Sequence, residues 1–167
     1  MNIQTTNKSL NKIIDELIIL FRKKEFNFLI EKAKEKIKEF PESFELYNLI
    51  GITFAEIKNI KQSIKYYKKA LIANPKNFIS DFYLGSLYHD NGDLLNALKH
   101  YKKSTNLNPK YSNAWFNLGV AYYENNNPLE AVNSYKKVII IEPNHANALY
   151  NLGYIYHELL NYDQSLV

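Results

Sequence analysis

The 167-residue sequence has no cysteine, one methionine and one tryptophan, and only five glycines and five prolines. Without cysteine there can be no disulfide framework and no thiol chemistry, which suits a reducing compartment. The glycines stand singly, so there is no GxGxxG or Walker-type loop to cradle a phosphate and no Gly-flanked serine to act as a nucleophile. No apolar run approaches the ~18 residues that would span a bilayer. The one stretch resembling a leader, residues 13–21 (IIDELIILF), is interrupted by Asp15 and Glu16. Arg22-Lys23-Lys24 then occupy the place of small cleavage-site residues. A cytoplasmic protein without a membrane partner is expected. His89, His100, His145 and His157 show no metal-ligand spacing such as HExxH. No metal, cofactor or catalytic residue is expected, and the chain reads as a non-enzyme.

What the sequence does have is repetition. Pro41, Pro75, Pro109 and Pro143 recur every 34 residues, as do Gly51, Gly85, Gly119 and Gly153. Tyr67, Tyr101 and Tyr135 keep the same step, and so do Tyr88, Tyr122 and Tyr156. A period of this length signals small stacked units rather than one globular core. After a polar stretch at 1–9, expected to be a flexible tail, the units are 10–43 (degenerate), 44–77, 78–111, 112–145 and 146–167 (incomplete).

Each complete unit has two apolar-periodic stretches around a polar break, such as Asp90-Asn91-Gly92-Asp93 or Asn125-Asn126-Asn127-Pro128. Asn and Gly suit the left-handed residue that ends one helix, and Pro128 suits the first position of the next. The proline near each unit's end lacks an amide proton and ends the second helix. The prediction is a helix A, a tight turn, a helix B and a proline-marked turn. At about 100° per residue, unit positions 4, 7, 8 and 11 share the core face of helix A. In the fourth unit these are Trp115, Leu118, Gly119 and Tyr122, opposed by Ala131, Tyr135 and Val138 of helix B. Gly119 costs about 1 kcal/mol against Ala in a helix, a cost explained if helix B approaches closely there.

These residues carry a resemblance. Trp115, Leu118, Gly119, Tyr122, Ala131, Tyr135 and Pro143 reproduce the W-x2-LG-x2-Y…A-x3-Y…P series of the tetratricopeptide repeat. Leu84, Gly85, Tyr88, Ala97, Tyr101 and Pro109 do so in the third unit, and Gly51, Ala70 and Pro75 in the second. The first unit departs from it, with Leu17 at the glycine position. The resemblance implies an all-α, right-handed solenoid of antiparallel helix pairs. It also implies that helix A turns its non-core face into a concave groove for an extended peptide.

Positions 2, 5, 6, 9 and 12 fall on that face. The candidate peptide-binding residues are Asn48, Phe82, Ser86, His89, Asn113, Phe116, Asn117, Val120, Tyr123, Asn147, Tyr150, Asn151 and Tyr154. Amides can bond both backbone N–H and C=O, and aromatic rings take side chains at low entropic cost. Phe82 and Phe116 could equally fill space between neighbouring helices. Position 13 supplies Glu56, Asp90, Glu124 and Glu158, an acidic groove edge that predicts a neutral to basic peptide. Pairing of these carboxylates with nearby lysines, or plain solvation, is the alternative.

Asn117 and Asn151 are similar to the asparagine ladder in the repeat region of O-linked N-acetylglucosamine transferase. The degenerate opening unit, Leu17 to Pro41, followed by a better second unit and then strict repeats, resembles the front of repeat-containing glycosyltransferases or sulfotransferases. That resemblance gives an alternative function: substrate recruitment for a catalytic domain outside this chain. Neutral and apolar residues stand where the carboxylate clamp of chaperone-binding relatives needs Lys and Arg. Lys65, Lys68, Lys69, Lys99, Lys102, Lys103, Lys136 and Lys137 segregate to the outer side of helix B, without a stacking platform of the kind nucleic acids use. Nucleic acid is therefore not the expected partner. The incomplete last unit points to a fragment of a longer protein, or to self-association through its uncovered face.

Overall fold

The computed structural model describes residues 3–165, with side chains over 8–160. Among the described residues every regular element is an α-helix. They are α1 (Ile3–Arg22), α2 (Phe26–Glu39), α3 (Phe44–Glu56), α4 (Ile60–Ala73), α5 (Phe78–Asp90), α6 (Leu94–Leu107), α7 (Ser112–Glu124), α8 (Pro128–Ile141) and α9 (Ala146–Ser165). Two compact units result, 1–83 and 84–167, with the boundary inside α5. In the first, α3 packs on α4 and on α2; in the second, α8 packs on α7 and α9, and α6 on α7.

The helices end where the repeat demands it. Lys24, Lys58, Gly92 and Asn126, at one repeat position, have φ of 60°, 61°, 77° and 55°. After each, the next residue's N–H returns to a carbonyl five residues back: Glu25 to Leu20, Asn59 to Phe54, Asp93 to Tyr88 and Asn127 to Tyr122, all at 2.8–3.0 Å. This left-handed stop satisfies carbonyls that the helix end would otherwise orphan. The same residues start the following helix. The Asn59 and Asp93 side chains accept from the N–H of Gln62 (3.2 Å) and Asn96 (3.1 Å), while Pro128 occupies the first turn of α8. The Asn96 side-chain and backbone bonds hold the Asp93 carboxyl below its usual range.

The core of 84–167 is built on glycine–tyrosine contacts. Tyr101 and Tyr135 are each 1% exposed, and a Cβ on Gly119 would lie 2.8 Å from the Tyr135 ring. The close approach expected of Gly119 is therefore real. Ala131, Val138, Ala148 and Ile155 complete that cluster. In 1–83, Leu17, Leu29, Ala33, Leu46 and Ile50 are fully buried, and Tyr67 packs on Gly51 in the same way. Burying a side chain of this size contributes roughly 1.5–3 kcal/mol.

The segment expected as a flexible tail at 1–9 is helical from Ile3 onward, as the start of α1; Met1 and Asn2 lie outside the described residues. Nothing in it breaks a helix, having neither Gly nor Pro. Trp115 and Tyr122 pack against the core as expected but are only half-buried, and the fully enclosed neighbours are Ala114 and Ala121, one position earlier. A large ring at the margin of the stripe reaches the surface, and the Trp115 indole N–H donates to the Pro109 carbonyl (2.9 Å).

Candidate functional site

The helix A face of 84–167 is organised by two links that repeat with the sequence period. The first joins a helix B tyrosine to the next helix A, 16 residues on. Asn151 Nδ2 donates to the Tyr135 hydroxyl at 3.0 Å. Asn117 Nδ2 reaches the Tyr101 hydroxyl at 3.5 Å, and that hydroxyl donates to Ser86 Oγ at 3.2 Å. A buried hydroxyl without a partner costs about 1–3 kcal/mol, so each asparagine has a structural task beside any recognition. The sequence reading leaves these amides free. In the structure the NH2 of each is engaged, and the carbonyl oxygen takes no part in that bond.

Within 1–83 the corresponding position holds Tyr83 instead of Asn. Its ring stacks on Tyr67 (centroids 5.3 Å apart, planes at 16°), and the Tyr67 hydroxyl is buried without a partner. Burial drives the Tyr67 phenol far above its ordinary pKa. Tyr101 and Tyr135 are raised too, again by burial, with their hydrogen bonds to Ser86, Asn117 and Asn151 opposing the shift.

The second link spans 35 residues and uses the acidic edge. Glu124 Oε2 lies 2.9 Å from His89 Nε2. Glu158 Oε2 accepts from the Tyr123 hydroxyl at 2.7 Å, and Oε1 accepts from the Tyr154 hydroxyl at 2.9 Å. Donation to Glu158 is the main cause that raises the Tyr123 phenol pKa. These carboxylates pair with the helix A face of the preceding repeat, not with lysines. Glu56 and Asp90 are exposed.

Between α7 and α9 this arrangement leaves a cavity of about 100 Å³, lined by Val120, Tyr123, Glu124, Tyr135, Asn151, Tyr154 and Ile155. The Tyr123 and Tyr154 rings meet edge to face, 6.2 Å apart at 80°. Of the exposed tyrosines of α9, Tyr154, which lines the cavity, is 47% exposed and Tyr150 is 72% exposed. Asn113 and Asn147 stand exposed in the first turns of α7 and α9. Phe116 is half-buried against Tyr135 (5.7 Å) and His145 (5.0 Å, stacked), so it fills space between helices as well as showing an edge. In 1–83, Asn48 Oδ1 accepts from Ser80 Oγ at 2.6 Å, and Phe82 leans on Tyr83. Sequence reasoning missed Tyr135 as the cavity floor because the wheel assigns it wholly to the core.

The opposite side of 84–167 carries two wider clefts beside Trp115, of about 340 and 470 Å³, edged by Lys102, Lys110 and Lys137. Its lysines have structural uses: Lys102 lies 5.1 Å above the Tyr122 ring and Lys136 5.8 Å above Tyr156. Among the described residues no group of three or more His, Asp or Glu could hold a metal ion, and no helix is long and apolar enough to cross a membrane.

Residues 44–77, 112–145 and 134–166 match the tetratricopeptide repeat family, and residues 85–126 match a TPR repeat. The chain is built of tetratricopeptide repeats. A TPR repeat-containing protein of Borreliella burgdorferi is 35% identical over 60 residues, 34% of this chain and 26% of that protein. The match thus spans about a quarter of that relative's length. Among solved structures, YrrB, described as a TPR protein with an unusual peptide-binding site, has a TM-score of 0.76 at 21% identity. The alignment covers 96% of this chain and 85% of YrrB. The first TPR of Spaghetti (RPAP3), bound to the HSP90 peptide SRMEEVD, has a TM-score of 0.67 at 23% identity, covering 70% and 93%. At these identities the likeness shows the fold: an all-α helical repeat solenoid of tetratricopeptide units.

Proposed function

We propose that this tetratricopeptide chain is a non-catalytic binding module, and that the helix A face of 84–167 holds an extended, neutral to basic peptide. The observation that carries this reading is the aromatic and amide surface around the α7–α9 cavity. Tyr123, Asn151 and the half-exposed Tyr154 line a recess that the chain leaves unfilled, and Tyr150, Asn113 and Asn147 are exposed on the same two helices. Exposed aromatics that keep rigid partners on one side are the usual energetic anchors of a binding surface. Asn48 and Phe82 offer a similar but more self-engaged surface in 1–83. YrrB and the RPAP3 repeat give precedent for peptide capture by this fold. The RPAP3 peptide is acidic, whereas Glu124 and Glu158 flank the recess here, so the opposite charge preference follows.

The reading of these repeats as a recruiting region for a glycosyltransferase or sulfotransferase has less behind it. It rests on the degenerate first unit ahead of stricter repeats and on the likeness of Asn117 and Asn151 to an asparagine ladder, and each of these amides already spends one N–H on a tyrosine hydroxyl.

A peptide array probed with the full chain tests the proposal. Retained sequences should be extended and neutral to basic, and Tyr150→Ala with Tyr154→Ala should weaken capture tenfold or more while the melting temperature holds. Retention of acidic peptides alone, or capture indifferent to both substitutions, overturns it.

A further inference from the structure

We infer that the cavity between α7 and α9 receives the cationic end of a lysine or arginine side chain from the bound partner. This deepens the peptide-binding reading and rests on it for the source of that side chain. The walls decide the chemistry. Tyr123 and Tyr154 set two aromatic rings nearly perpendicular, at 80°, and Tyr135 lies among the lining residues with its hydroxyl already satisfied by Asn151. Ring faces carry negative quadrupole density, which attracts an ammonium or guanidinium.

Two carboxylates reinforce that field. Glu124 lines the cavity, and Glu158 fixes both lining tyrosines by accepting their hydroxyl hydrogens. Each carboxylate oxygen so engaged keeps a lone pair for an incoming N–H. The partner of Glu124 inside the chain is His89 Nε2, at 2.9 Å, and no lysine or arginine is among the lining residues. A volume of about 100 Å³ suits the tip of one side chain and is too small for a helix or a nucleobase. An apolar occupant would desolvate Glu124 without compensation, and an anion would meet two like charges. A cation satisfies both rings and carboxylates at once.

The test uses N-acetyl-arginine methylamide, N-acetyl-lysine methylamide and the uncharged citrulline analogue, titrated into the full chain and read by the tyrosine ring NMR signals. Either cation should shift Tyr123 and Tyr154 with saturation, and citrulline should bind at least tenfold more weakly. Glu158→Gln should lower cation affinity at least fivefold. Tyr154→Phe, which keeps the ring, should stay within about threefold, and Tyr154→Ala should lose binding.

Citrulline binding as well as arginine, or no shift with either cation, overturns the assignment. A second arm separates the two readings: a Gly-Ser peptide bearing one central Arg against its citrulline twin. Equal capture of both leaves the peptide-binding face standing and removes the cation site. Saturation by the small cations with no peptide retained leaves the cation site and removes the peptide-binding face.

Discussion

Gly119 and Gly153 occupy the same repeat position in opposite surroundings. A methyl on Gly119 would meet Tyr135 at 2.8 Å, and that ring is 1% exposed and has nowhere to go. Overpacking of this kind costs about 1–3 kcal/mol and outweighs the ~1 kcal/mol of helix propensity gained from Ala. Around Gly153 nothing lies within 4 Å. Gly119→Ala should therefore lower the urea midpoint, and Gly153→Ala should raise it by up to about 1 kcal/mol of stability. The tyrosines divide similarly. Tyr67→Phe deletes a buried hydroxyl that bonds to nothing and should be neutral or stabilising. Tyr135→Phe breaks the bond from Asn151 and should cost about 0.5–1.5 kcal/mol. Equal effects of the two substitutions in urea unfolding would contradict the asparagine link.

Turns show how much of the fold could be read in advance and where reading stopped. Gly92 and Asn126 announce a left-handed residue; Lys24 and Lys58 do not, yet they sit at φ 60° and 61° because the helices on either side fix the backbone there. The left-handed region costs a side-chain-bearing residue roughly 1 kcal/mol relative to Gly. Lys58→Gly should therefore stabilise by up to about 1 kcal/mol in thermal or urea unfolding, and a destabilisation of that size would show that local strain is not what the turn stores. Helix order, spacing and the starts of α3, α5, α7 and α9 follow from the 34-residue period. The start of α1 does not, because residues 3–9 lack both a breaker and an apolar stripe. Trp115 packs against the core as the wheel has it yet also reaches the surface, which a wheel misses because it treats each residue as a point. The Asn–Tyr and Glu–Tyr links were hidden for other reasons. The Asn–Tyr links join faces that the period assigns separately to core and surface, and only the burial of a hydroxyl brings the two together. Tyr123 and Glu158 share the groove side but sit 35 residues apart on different helices, which the wheel of one helix does not relate.

At the scale of the whole chain the charges are sorted. The net charge is +4, with lysines along the helix B sides and carboxylates at the helix A ends. If the net charge governed association, a basic peptide would be repelled, and salt would help it bind. Local carboxylates predict the reverse: affinity for a basic peptide should fall several-fold as salt rises from about 0.05 M toward 1 M, where the screening length shrinks to ~3 Å. Isothermal titration across that range decides between them. The two recurring links also bear on how such a chain could lengthen. Residues 112–145 present Tyr135 and Tyr123 at one boundary and Asn117 and Glu124 at the other, so a tandem duplicate of this segment meets itself with the same partners that Asn151 and Glu158 now supply. A copied 44–77 would instead bring Leu49 to the Tyr67 hydroxyl. The fourth segment is thus interchangeable stock, and an insertion of it should raise the melting temperature where an insertion of the second would lower it.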